Sequence, residues 1–483
     1  MNNSWYQEPK DMLTERGLAG LDLETTGINR KIEYERPTSA AILESTDNIE
    51  NPDIVMDNKC RLPYHVLPDA GALRVTNINP MELMNEELSL HQLIRKIVDY
   101  FVSNPNKILV TYNGATYDLI ILRHSFFSSL YNPYLLSNAF EDRIHIDLYK
   151  IAQSIYCFAP KSIAFFKDAT GKVVMKQETL AKENGIDPGN AHAALDDVKA
   201  LLKLANLFEQ QAPEIFFSAI ASGNKSRAVK LMTEQLYFTY GEVKYKERLA
   251  IKRTPTFICE DPTYSNRMIF FDLCLDPNDY LFMTAEEIAN LIDKKNSPLF
   301  SIKSNSSPVI LHPSISDENN LDEELATHRA SIVQASNGFK QNVYLACDIM
   351  SKKRTPWTIL SFPESRIYAK FIDKTDRLLC DAFLNSININ DRLEIVNQLN
   401  DDRLIDFAKR ILALEHQDCG PKLIMEYQEF EAMRLLNEGE VPWRTLKKGW
   451  QSLEKEVEGN KLSPSLLKGI KEYYTLEIGR AHV

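Results

Sequence analysis

The chain has no Cys-x-x-Cys pair, and its seven cysteines (Cys60, Cys157, Cys259, Cys274, Cys347, Cys380 and Cys419) are scattered. That spacing gives neither a zinc site nor a disulfide framework. There is no long uncharged apolar run, so no segment reads as a membrane span. The N-terminal stretch MNNSWYQEPKDMLTERG lacks the basic-then-apolar order of a secretory signal. Together these absences point to a reducing cytoplasm and no membrane partner. No internal repeat or low-complexity tract stands out. Cations are also in deficit, with 56 Lys and Arg against 67 Asp and Glu and a net charge of −11. In bulk this opposes a nucleic-acid partner, but a partner meets a local surface, and a carboxylate-rich site contributes to the sum. The 483 residues, 44 % apolar and 25 % charged, suit a soluble globular protein of two to four domains.

What the chain does have is a set of acidic residues in telling places. Residues 18–24, LAGLDLE, alternate as a strand does, which puts Asp22 and Glu24 on one face and Leu21 and Leu23 on the other. Thr25, Thr26 and Gly27 end that strand, so two carboxylates emerge side by side where open α/β sheets hold ligands. Ile108 to Asn113 reads as a second strand and Gly114 to Thr116 as a turn. Asp118 then stands near the start of a helix. Asp187-Pro188-Gly189-Asn190 is a loop signal. Asn190 is expected to cap a helix over Ala193 to Leu207, with His192 at its entrance. Asp197 lies five residues on from His192, a rotation of roughly 140° on a regular helix, whereas Asp196 is better aligned with it. Geometry alone leaves that pair open.

Taken singly, each residue has an ordinary reading as a turn, cap or solvated position. Together, clustered carboxylates are costly to desolvate without compensation, and hard divalent ions supply it through oxygen ligands. A histidine beside them is placed to take a proton from water. These are the parts of a two-metal phosphodiester hydrolase.

In order and spacing, Asp22-Leu23-Glu24, Asp118, and His192 with Asp197 resemble the histidine subtype of the DEDD exonucleases, whose last motif is His-x4-Asp. That register selects Asp197 over Asp196. YERPTSAAIL, LPDAGALRVTNINP and ETLAKENGIDPGNAHAALDDV extend the resemblance toward the bacterial exonuclease I family. The resemblance implies an α/β fold with a ribonuclease H-like exonuclease domain (14–210). An SH3-like β-rich domain (211–355) and a helical C-terminal domain (360–477) would follow it. The short runs QLYFTYG, RLAIKR, TPTFICE, RMIFFDL and SPVILHP fit the middle region, with a helix around Ala285 to Lys294, and Asp317 to Glu324 reads as an exposed connector or helix start. Residues 478–483, IGRAHV, can be encoded by a common sequencing-adaptor stretch, so this tail is read as non-native and His482 is set aside.

The same resemblance implies two magnesium ions, or manganese, held by Asp22, Glu24, Asp118 and Asp197, with His192 as general base and Glu24 also able to meet the terminal nucleotide. Lys176 stands where the family places a substrate-touching basic residue, more familiarly an arginine. The expected activity is release of 5′-mononucleotides from the 3′ end of single-stranded DNA by a monomer. The resemblance further implies a role in repair and recombination and docking to the C-terminal tail of single-stranded DNA-binding protein. The competing readings are an exoribonuclease or proofreading exonuclease and a non-catalytic single-strand binder. A basic stretch from Lys225 to Arg253, interleaved with Tyr237, Phe238, Tyr240 and Tyr245, is a candidate nucleic-acid lining, with a solvated sheet surface over core aromatics as the alternative.

Overall fold

Five strands form the central sheet in the order β3-β2-β1-β4-β5. They are β1 (Leu18–Thr25), β2 (Pro37–Ser45), β3 (Asp53–Lys59), β4 (Ile108–Thr111) and β5 (His145–Asp147). The computed structural model describes residues 4–27, 32–45, 52–190, 192–244, 247–315, 321–353, 362–416 and 418–481. β1, β2 and β3 pair antiparallel, while β1, β4 and β5 run parallel. The parallel pairing carries the ends of β1, β4 and β5 to one edge of the sheet, as the sequence pattern of β1 requires.

Each face of the sheet meets its own core, because side chains alternate along a strand. Ala19, Leu21 and Leu23 pack with Leu93, Ile97 and Phe101 of the helix Leu90–Ser103 and with Phe126 of the helix Asp118–Ser128. The C-terminal helix Asp402–Glu415 joins this core through Phe407, whose ring meets Phe127 edge-on at 5.1 Å. The opposite face belongs to the helix Ala194–Gln211, which buries Val198, Leu201, Leu202 and Ala205. Gly20 makes this approach close: a Cβ there would lie 2.9 Å from Cγ1 of Val198 and 3.2 Å from Leu202. Gly20 is two residues before Asp22, so the missing side chain lets the helix bearing Asp197 settle on the strand bearing Asp22 and Glu24.

Beyond the central sheet lie a three-stranded sheet and a two-stranded one. The first pairs Pro255–Glu260, Arg267–Asp272 and Leu299–Lys303; the second pairs Tyr240–Val243 with Ala250–Arg253. Four of the expected runs supply strands. SPVILHP does not: it makes a single bridge, Thr239 to Leu311, and the run LFSIK takes the remaining place. The expected helix near 285–294 is shorter, Ala285–Ala289. From Lys374 onward the elements are helices. The last, Pro464–Ala481, packs Ile470, Tyr473 and Tyr474 against Leu73 of the helix Ala70–Thr76. That helix runs through Ile478 to Ala481, and His482 lies outside the described residues, as do Asp317 to Asn320 of the acidic connector. Among the described residues no helix is long and apolar enough to cross a membrane.

Replacing Gly20 with valine should force the helix Ala194–Gln211 off β1. Overpacking of this kind costs about 1–3 kcal/mol. Urea denaturation followed by far-UV circular dichroism should show an earlier midpoint, and an unchanged midpoint would mean that the close approach does not matter.

Candidate active site

Asp22 and Glu24 leave the same face of β1 as Gly20, toward the helix that carries Asp197. Glu24 is buried and Asp22 half-buried. Asp118 opens the helix Asp118–Ser128 and is buried. The loop before it is tightly tied. Asn113 adopts the left-handed conformation, with φ 59°. Asp147, at the end of β5, accepts hydrogen bonds from the backbone N–H groups of Asn113 (2.7 Å), Ala115 (3.4 Å) and Tyr149 (3.1 Å). The Tyr117 hydroxyl donates to the Gly27 carbonyl at 2.7 Å and lies 2.7 Å from Oγ1 of Thr25. Tyr117 thus fastens the Asp118 loop to the end of β1.

His192 does not lie on the helix. It precedes it, with φ 69°, and its backbone N–H donates to Oδ2 of Asp197 at 3.0 Å. Asp196 receives the N–H of Asn190 at 3.0 Å and pairs with Lys199 at 3.0 Å. Asn190 is therefore not the helix cap. The cap residue is Ala193, with no side-chain bond, and the two aspartates reach back from the first turn to hold the preceding loop. The regular-helix rotation does not apply to a residue outside the helix, so Asp197 turns inward and Asp196 outward. Ligand-capable atoms of Glu24, His192 and Asp197 lie within 4.8 Å of one another.

The electrostatics follow from which carboxyls converge. Burial, and then the charges of Asp118, Asp197 and Glu24, push Asp22 well above the carboxylate range. Burial, Asp197 and Asp118 raise Glu24 to about 8. Asp118 rises to about 7, chiefly by burial, and Asp197 is raised by burial against the His192 N–H. Asp196 is held low by the Asn190 N–H and Lys199. The site thus brings together Asp22, Glu24, Asp118, Asp197 and His192. All four acids offer oxygen, which suits a hard divalent cation and would relieve their mutual repulsion.

Lys176 stands at the edge, 74 % exposed, with Nζ 3.9 Å from Oε1 of Glu178. The other oxygen of Glu178 is 4.0 Å from Nε2 of His192. Gln177 donates to the Asp197 carbonyl at 2.7 Å. Sequence reasoning passed over Asp147, Tyr117 and Glu178. A strand-end aspartate ahead of an apolar helical run was the available signal for Asp147.

Part of the Lys225–Arg253 stretch takes the plainer of its two readings. Phe238 and Tyr240 are core rings, with Tyr240 stacked on Phe300 at 6.3 Å. Arg227 pairs with Glu8, Arg248 with Asp168 and Arg253 with Asp272. Tyr245 and Lys246 lie outside the described residues.

Sheet order, two strand-borne carboxylates and a helix-borne aspartate with its histidine define the exonuclease class. The family model described as Exonuclease matches residues 20–205. Exodeoxyribonuclease I of Haemophilus influenzae is 25 % identical over 376 residues, 74 % of this chain and 77 % of that protein. That of Escherichia coli is 27 % identical over 212 residues, 44 % of each. Among solved structures, exonuclease I of Methylocaldum szegediense superposes with a TM-score of 0.79 at 21 % identity, covering 96 % of this chain and 99 % of that one. E. coli exonuclease I in complex with a dA16 oligonucleotide gives 0.79 at 19 % over the same shares. A structure of SSB/exonuclease I with an inhibitor gives 0.75 at 18 %, covering 95 % and 99 %. The chain thus carries an exonuclease domain over residues 20–205 and is similar to exodeoxyribonuclease I proteins along most of its length. The exonuclease domain implies dependence on a divalent metal.

The raised carboxyls set a sign for stability. Each binds its proton more tightly folded than unfolded, so the metal-free fold is favoured at low pH and loses that advantage as pH rises through the folded values. For Glu24 the window runs from the ordinary 4.5 to about 8. The melting temperature in chelator should fall across it, and millimolar Mg2+ should restore more at pH 8 than at pH 5. A flat profile that magnesium leaves unmoved would show that the pocket holds no metal.

Proposed function

We propose that the chain is a metal-dependent 3′–5′ exodeoxyribonuclease that degrades single-stranded DNA to 5′-mononucleotides. The observation that carries this reading is the meeting of Asp22, Glu24, Asp118 and Asp197, from three separate segments, beside His192. Relatives named exodeoxyribonuclease I and the oligonucleotide bound to the E. coli structure support the substrate.

The four carboxylates would hold two divalent ions, with magnesium the proposed species. When bound, such a pair activates water and offsets charge on the leaving 3′ oxygen. The remaining work falls to the chain itself. His192 is half-exposed at the rim, where its ring can receive the proton of an attacking water. Glu178 faces that ring, with Oε2 4.0 Å from Nε2. Glu24 borders the same space and can meet the terminal sugar. Lys176 offers a single point charge to a phosphate, without the fork an arginine would bring. Tyr117 and Asp147 keep the Asp118 loop registered against β1.

The wider reading follows the family: three domains spanning 14–210, 211–355 and 360–477, action in DNA repair and recombination in the cytoplasm, and a monomer. Contact with the tail of single-stranded DNA-binding protein is supported by the SSB/exonuclease I structure. Digesting 3′-labelled and 5′-labelled single-stranded DNA and matched RNA, with and without chelator, tests the assignment. Early release of the 3′ label from DNA alone, abolished by chelator, is expected. Binding without release in magnesium would make the chain a non-catalytic strand binder.

Asp22→Ala should abolish release while leaving strand binding in chelator largely intact, because a carboxylate does not attract phosphate; normal turnover would remove Asp22 from the metal set. His192→Ala should slow turnover by roughly 10² to 10⁴. A rate and pH profile matching wild type would place the base elsewhere.

A further inference from the structure

The ladder between β1 and β2 slips immediately after Glu24. Glu24 faces Ser39, but Thr25 faces Pro37, which has no N–H to give. Strand pairing alone therefore does not fix the turn that follows Glu24. Thr26, 1 % exposed, takes over that task. Its N–H donates to the Arg36 carbonyl at 2.9 Å. Its Oγ1 donates to Oε2 of Glu35 at 2.6 Å and accepts the Arg36 N–H at 3.0 Å. Its carbonyl accepts the Asp69 N–H at 2.7 Å. Glu35 is itself buried, and a buried carboxylate needs a partner of opposite charge. Among the described residues its ion pair is with Arg444.

Arg444 meets every part of this node. Nη1 donates to the carbonyls of Thr26 and Leu67, Nη2 donates to Glu35, and Nε faces Oδ2 of Asp69. Asp69 in turn caps the helix Ala70–Thr76 and accepts from Ser452 of the helix Leu446–Glu458. A planar fork with donors in fixed directions can meet these acceptors together, and an ammonium cannot. We infer that Arg444 is a positioning residue for the metal site: by clamping Thr26 between Glu35 and Asp69 it sets the exit of β1, and with it the place of the Glu24 carboxylate. This rests on the metal-dependent nuclease reading above. A carboxylate two residues from an unrestrained turn would spread over several positions, and a cation would have to gather it on binding. Groups that orient metal ligands from behind are worth roughly 10- to 100-fold in metal affinity. Arg444 acts through Thr26 and the backbone, so the lower end, about tenfold, is expected.

The test uses the full chain with Mn2+ as the probe, its binding read by electron paramagnetic resonance of the free ion, and 3′-labelled dT16 for turnover. Arg444→Met should raise the half-saturating Mn2+ by about tenfold, in binding and in rate alike. KM for the strand at saturating metal, and binding of dT16 in EDTA, should not move, because a buried guanidinium has no phosphate to meet. Arg444→Lys should not rescue, since it keeps the charge and loses the fork. Leu453→Ala, in the core under the helix Leu446–Glu458, is the control: its melting temperature should fall while its half-saturating Mn2+ stays at the wild-type value. Glu35→Gln loosens the same node from the other side and should shift Mn2+ in the same direction, which keeps the test open if Arg444→Met does not fold. If wild type binds Mn2+ and releases the label, and Arg444→Met or Glu35→Gln melts earlier yet binds Mn2+ as wild type does, the role is one of stability alone and the inference is overturned while the nuclease reading stands. Full rescue by lysine would overturn it too. If wild type neither binds Mn2+ nor releases the label, both fall.

Discussion

Four carboxylates that repel one another are held in a space the fold takes out of water. Burial is the leading cause of the upward shift at Asp22, Glu24, Asp118 and Asp197 alike, and at Asp22 the other three charges add to it directly. Nothing local would keep these groups together. The restraint comes from the sheet and its two cores: Gly20 admits the helix Ala194–Gln211, Tyr117 bolts the Asp118 loop to β1, and Asp147 gathers the N–H groups of that loop. Burial pushes Asp147 up too, with Lys150 and the three N–H donors drawing it back. The structure therefore carries a standing electrostatic strain at one point, which protons or cations relieve.

The C-terminal helices contribute to that restraint from the other side of the turn after β1. Arg444 lies just ahead of the helix Leu446–Glu458 and donates to the carbonyls of Leu67 (2.8 Å) and Thr26 (3.3 Å). It also pairs with Glu35 at 3.0 Å and Asp69 at 3.3 Å. A Cβ on Gly27 would come within 2.6 Å of its Nη2. A buried guanidinium satisfied on this many sides is a positional device more than a source of net stability, since desolvation offsets much of the Coulomb gain. It fixes the loop three residues beyond Glu24 to an element more than four hundred residues away in sequence. The end of β1 is thus held from the far end of the chain as well.

What could be read from the sequence follows from the reach of each signal. Asp22 and Glu24 were legible because strand alternation is local and strict. Asp118 was legible because a turn and an apolar helical run bracket it. The spacing of His192 and Asp197 misled a regular-helix argument because His192 takes a left-handed backbone outside the helix. No periodicity encodes that; only the family register chose Asp197. Asn190 failed as a cap because Asp196 and Asp197 reach backward to the loop. The ion partners of Arg227, Arg248 and Arg253 in the Lys225–Arg253 stretch, namely Glu8, Asp168 and Asp272, could not be read because they lie outside any window.

The net charge of −11 acquires a physical meaning here. The charges that repel one another at the site would also repel a phosphate, so a polyanion gains nothing from approaching the bare carboxylates. Cations that occupy the site remove that repulsion, which makes metal and strand mutually supporting by linkage. Grip on the rest of a strand has to come from elsewhere. Separating the two tasks has a chemical advantage. Contacts remote from the scissile bond survive each cleavage, while the carboxylate pocket is left free to release a negatively charged product.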